Sequence, residues 1–205
     1  VILTRTSYID KVTKFLSTSG ASKTTNSPSS RNKKDFFSIE SRNKKVRAAI
    51  RKSLHIVPDK KLQEKLYVMN YAAPPLYGQI KTHKKDMPIR PVIAFYSEPS
   101  YELSKYLNKW FRSTTGFLPN SAVRDSAQLA SIMKDVKYPP GARLISLDAV
   151  SMYTYIPVEP AVNLMLQHLE NCGIASNIRQ EFESSINICV KTNYCAFGNS
   201  IYRFD

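Results

Sequence analysis

Two periods of hydrophobic and polar positions alternate along this chain, and the changes between them mark its elements. Val1–Leu3 reads as the tail of a strand. Ile9, Val12, Phe15 and Leu16 then recur at helical spacing behind Ser7, which predicts a capped helix. Ser17–Ser30 is rich in Ser, Thr and Asn and reads as a flexible loop, extending to about residue 34. A second helix is predicted over Ser38–Leu54, with Ile39, Val46, Ile50 and Leu54 inward. Pro58 stops it, and Asp59–Asn70 forms another on Leu62, Leu66 and Met69. The period then changes to two. Leu76–Ile80 and Ile89–Phe95 read as strands around a polar turn, Lys81–Pro88, and Pro91 suits an edge strand because it has no ladder N–H to give. Pro99–Ser113 is a helix with a broad face of Leu103, Tyr106, Leu107, Trp110 and Phe111, read as core. A short helix runs from Asp125 or Ser126 to about Val136.

The segment Arg143–Pro157, RLISLDAVSMYTYIP, opens with the apolar run Leu144–Leu147, which reads as a buried strand. Helices over Glu159–Glu170 and Asn177–Lys191 follow, and Tyr194–Phe197 and Ile201–Phe204 form a hairpin around Gly198–Asn199. Strands and helices in this mixture predict an α+β fold.

Composition adds one strong bias. The 205 residues carry a net charge of +14, all of it in the first half: up to Trp110 there are 22 Lys and Arg against 8 Asp and Glu, and from Phe111 onward 8 against 8. A basic half beside a neutral half suggests a polyanion-binding surface, the plain alternative being a lysine-rich solvated face. No apolar run approaches the roughly 20 residues of a membrane span. Three cysteines at irregular spacing, Cys172, Cys189 and Cys195, form neither a disulfide framework nor a zinc motif, and reduced thiols are expected.

Three places carry candidate chemistry. Asp148 ends the apolar run, where a carboxylate can hold a hard cation beside the Ala149 carbonyl; the same position also suits a turn or helix cap. The hairpin turn bears Lys81, His83, Lys84 and Lys85, with Arg90 on the returning strand, a set suited to a triphosphate or a nucleic-acid backbone. The helix from Ser38 places Arg42, Lys44, Lys45, Arg47, Arg51 and Lys52 within eleven residues, either as a solvated face or as a nucleic-acid contact.

Taken in order, YGQIKTHK, then PIRPVIAFYSEPSYELSKYLNKW, then LISLDAVSMYTYIPVEPAV resemble the reverse transcriptases of Penelope-like retroelements. That family has a Y-G-x-x-K-x-H-K block, an R-P block, an S-P-x-Y-x-L-S-K-Y-L helix and an F/L-D-V-x-S-h-F/Y-T-N-I-P block. Val1–Phe15 and Tyr194–Phe204 are similar to further family segments, so the likeness spans nearly the whole chain. It implies a right-hand polymerase cut at both ends, with fingers over residues 1–142 and the start of the palm over 143–205. Asp148 would hold catalytic Mg²⁺ or Mn²⁺ with help from the Ala149 carbonyl, Tyr153 would be the steric gate, and Arg90 would bind the incoming deoxynucleoside triphosphate, with Lys81, Lys84 and Lys85 as further candidates for that job or for template contact. The implied activity is RNA-directed DNA polymerisation on an RNA template and DNA primer, by two metals in the full-length protein. The nucleus or the cytoplasm would be the place for it.

Two departures qualify this picture. Tyr155 stands where the family has Asn, and the chain contains no Asp-Asp dipeptide, so the paired aspartates of the family's catalytic turn are missing. The fragment alone is therefore expected to be inactive. A non-catalytic RNA- or DNA-binding module, a remnant or a domesticated copy, is the alternative.

Overall fold

The computed structural model describes residues 3–24, 37–119, 121–148 and 156–204. Helix α1 (Arg5–Thr18) starts two residues before Ser7, because the Thr4 hydroxyl accepts the Ser7 N–H at 3.2 Å and supplies the cap. Strand β1 (Ala21–Lys23) follows, inside the stretch expected to be a loop. Helix α2 (Ile39–Lys52) begins at the Ser38 cap, and α3 (Lys60–Lys65) at Asp59, whose carboxylate accepts from the Lys61 and Leu62 N–H groups. The expected continuation of α3 to Asn70 does not form. Its end tightens into short-range bonds from Leu66 to Gln63 and from Tyr67 to Glu64. Met69 and Leu54, expected inward, lie beyond the ends of their helices and are exposed.

Strands β2 (Leu76–Ile80) and β3 (Ile89–Ile93) pair antiparallel, Leu76 opposite Ile93 and Ile80 opposite Ile89. The returning strand stops short of Phe95, where a 3₁₀ turn (Phe95–Ser97) leads toward α4 (Tyr101–Thr115). Gly116, at φ 63°, ends α4 in the left-handed conformation that a side chain would strain. Helix α5 (Ser126–Lys134) is capped by Asp125. Helices α6 (Val158–Asn171) and α7 (Ser176–Val190) and strands β4 (Tyr194–Phe197) and β5 (Ser200–Phe204) complete the chain. The fold is a mixture of α-helices and small antiparallel sheets.

Two apolar cores organise it. One lies among α2, α4, α6 and α7, where Val46, Ile50, Leu103, Leu107, Phe111, Leu169 and Phe182 are buried together. Trp110 and Phe111 of α4 stack on Phe182 of α7 at 5.5 and 5.7 Å between ring centroids, so the aromatic face of α4 is core, as its pattern predicts. In the other, Val12 and Leu16 of α1 pack on Leu76 and Cys195 of the strands. Gly78 lets α1 approach closely: a Cβ there would lie 3.2 Å from Ile89 and 3.4 Å from Val12.

The three-stranded sheet runs β1-β5-β4. It meets β2–β3 where Pro75 bridges Ala196, whose N–H donates to the Pro74 carbonyl at 2.8 Å. Both cores draw residues from either side of position 142. Helix α7 and strand β4 contribute to cores that also hold residues of α2, α4 and α1.

One expectation fails outright. The run Leu144–Leu147 is not a buried strand. Residues 142–148 have no regular structure, and Leu144, Ile145 and Leu147 are 74%, 81% and 91% exposed. Among the described residues no strand pairs with this run, and an apolar segment cannot bury its backbone polar groups without a ladder. The whole segment from Phe117 to Asp148, α5 included, contributes no buried side chain among the described residues.

Candidate nucleic-acid interface

The β2–β3 hairpin presents one face to α1 and leaves the other open. Register places Tyr77, Gln79, Arg90 and Val92 together on the outer face, where Tyr77, Gln79 and Arg90 are exposed. At the tip, Lys84 and Lys85 are exposed and Lys81 is half-buried. The tip is closed by three backbone bonds: Lys81 N–H to Pro88, Lys84 N–H to Lys81 and Met87 N–H to Lys84. Asp86 and Met87 hold φ of 64° and 42°, a conformation side chains adopt only when their surroundings impose it. Lys11 of α1 helps impose it, its ammonium donating to the Asp86 carbonyl at 2.8 Å. Arg90, Lys84 and Lys85 thus stand exposed on a hairpin that is bonded to α1 at its tip.

On α2 the six cations do not act alike. Lys44, Lys45, Arg51 and Lys52 are exposed. Arg47 is half-buried, with its guanidinium 4.7 Å above the Tyr67 ring centroid. Arg42, expected on the outer basic face, turns inward instead. Its Nε donates to Glu98 at 2.8 Å, and one terminal nitrogen donates to the Ile188 carbonyl at 2.6 Å and to the Thr192 hydroxyl. Arg42 is one helical turn from the buried Val46, so its fork reaches the core side and its bonds are spent there.

Glu98, which the sequence reading passes over, is fully buried. Besides Arg42 it accepts from the Ser100 N–H, from the Ser100 hydroxyl and from the Tyr194 hydroxyl at 2.9 Å. Four donors from three parts of the chain surround one carboxylate, which is how a buried charge is tolerated. Burial, and then the neighbouring Glu98 charge, raises the Tyr194 phenol above its ordinary range. Burial likewise pushes the Cys189 thiol up to about 12 and Cys195 to about 11. The sign that could have revealed Glu98 is its place two residues before Ser100, at the mouth of α4, where a carboxylate can meet a free N–H.

Asp148 is exposed on the irregular segment, while Ala149 and Tyr153 lie outside the described residues. Among the described residues no group of three or more His, Cys, Asp or Glu side chains is placed to hold a metal ion. The hairpin cations and the α2 cations belong to different cores, the first to the α1 core and the second to the helical one. No described helix is long and apolar enough to cross a membrane. Comparison with protein-family models, curated proteins and solved structures gave no match to this chain.

Proposed function

We propose that these residues are the nucleic-acid-gripping part of an RNA-directed DNA polymerase of the Penelope-like kind, comprising its fingers and the first part of its palm. The observation that carries the reading is the hairpin. The Y-G-x-x-K-x-H-K and R-P blocks fall on its two strands and tip, and their cations Lys84, Lys85 and Arg90 are exposed on a support braced by α1. Such an array supplies charge-assisted bonds to phosphate oxygens of a template strand or of a deoxynucleoside triphosphate. In this reading Asp148 is a metal ligand that acts together with the paired aspartates of a completed polymerase.

The second reading, a non-catalytic RNA- or DNA-binding module, uses the same exposed cations and needs no metal site. The two part at Asp148. In a polypeptide completed with the paired-aspartate turn, Asp148→Asn abolishes DNA synthesis and spares template binding if the first reading holds. A completed polypeptide without any synthesis would leave the second.

Both stand on nucleic-acid binding, which is tested on the 205 residues themselves. Lys84→Glu with Lys85→Glu should weaken binding of an RNA template–DNA primer duplex by about two orders of magnitude, since each reversal removes one phosphate contact and adds a repulsion. Unchanged binding would overturn the assignment of the hairpin.

A further inference from the structure

A second basic surface has a shape of its own. Lys44, Arg47 and Arg51 follow one another at i, i+3 and i+7 and therefore form a stripe along α2, beside the buried Val46, Ala49 and Ile50. Facing the stripe is the chain that leaves α3. Between them is a cleft of about 320 Å³ lined by Glu40, Asn43, Lys44, Arg47, Arg51 and Tyr71.

Arg47 is the unusual member. Its guanidinium rests on Tyr67, one terminal nitrogen reaches only the Met69 sulfur at 3.9 Å, and its Nε–H is buried with no acceptor. Thioether sulfur is a weak acceptor, so this cation is fixed in place with donors still open. Among the described residues no carboxylate pairs with Lys44, Arg47 or Arg51, although Glu40 lines the same cleft. Three cations against one acid call for an anion, and the Tyr71 ring offers a flat partner for a planar group. The volume lies at the small end of ligand clefts, enough for one nucleotide and too little for a duplex. In a duplex the bases are stacked inward and cannot reach a side chain in a cleft. A single strand can turn one base out onto an aromatic ring.

We propose that this cleft takes one nucleotide unit of a single-stranded nucleic acid, with the phosphate on Lys44, Arg47 and Arg51 and the base on Tyr71. The proposal rests on the nucleic-acid reading above but uses a separate surface, so the two can fail separately. The test is fluorescence anisotropy of the full 205-residue chain with a labelled oligouridylate of about twelve residues, a length that spans a typical single-strand site.

Tyr71→Leu, which keeps an apolar side chain, should weaken binding about tenfold through lost stacking. Lys44→Gln with Arg51→Gln, both at exposed positions, should also weaken it and lower the log–log salt slope by roughly 0.7, one single-strand phosphate contact. Tyr71→Leu should leave duplex binding within about twofold, because bases stacked inside a duplex cannot reach the ring. Wild-type oligouridylate binding when both cleft variants are folded by circular dichroism would overturn the proposal. If the hairpin charge reversals weaken binding in the same assay, the functional reading survives that loss. Displacement of the oligouridylate by millimolar AMP would assign the cleft to a free nucleotide and overturn the strand assignment.

Discussion

Glu98 is a charged side chain with none of its surface exposed, and Leu147 is an aliphatic one that is 91% exposed. Polarity alone would place them the other way round. Around Glu98, donors from α2, from the mouth of α4 and from β4 converge on one carboxylate, so its removal from water is compensated. Around Leu144–Leu147 no described strand offers a ladder, and the run stays in solvent with its backbone. The difference teaches that burial follows the supply of partners at least as much as hydropathy.

The sharpest way to break this comparison is Glu98→Ala. It leaves Arg42 buried without its counter-charge, which costs about 3–5 kcal/mol when one member of a buried pair is removed. Urea unfolding should show a loss of that size, and Glu98→Gln, which still accepts one bond, a smaller one. A loss under about 1 kcal/mol, typical of exposed ion pairs, would mean that water reaches the pair.

Alkali gives a milder perturbation of the same region. Burial raises the Cys195 thiol to about 11 and Cys189 to about 12, so above roughly pH 8.5, the ordinary thiol value, the unfolded chain releases protons that the folded chain keeps. The stabilisation is complete below that value and is lost as pH rises toward 11–12. The urea midpoint should fall between pH 8.5 and 11, and Cys195→Ala should flatten the fall. An unaltered slope in that variant would show that Cys195 is not shielded as described.

The smallest effect belongs to the other side of the comparison. Leu147→Ser should change stability by no more than about 0.5 kcal/mol, as at an exposed position. A buried leucine truncated to a small residue costs about 2–5 kcal/mol, and a loss of that size would place Leu147 in a core.

Local signals were legible in the sequence where local chemistry decides. Ser38 and Asp59 cap the helices that their positions announce, and the two-residue period of Leu76–Ile80 marks a strand with the same bounds. Elements decided at long range were not legible. Ala21–Lys23 carries no strand pattern and is extended because β5 pairs with it, Ala21 opposite Phe204. Arg42 reads as one cation among six until Glu98, Ile188 and Thr192 are brought to it by the fold. Leu144–Leu147 shows the converse, since a strand pattern states a preference and cannot state whether a neighbour is present. Of the candidate site, the hairpin cations were legible because a polar turn between two strands must be exposed. The cleft was not, because Tyr71 meets α2 only in three dimensions.

The most direct test of the central claim, that the hairpin grips nucleic acid, is the affinity of the 205-residue chain and of its Lys84→Glu, Lys85→Glu variant for an RNA template–DNA primer duplex across a salt series. The account predicts a steep wild-type dependence, about a hundredfold weaker binding from 50 to 200 mM salt if four phosphates are neutralised, and a shallower slope in the variant. Wild-type binding that ignores salt, or a variant whose affinity and slope match the wild type, would contradict it.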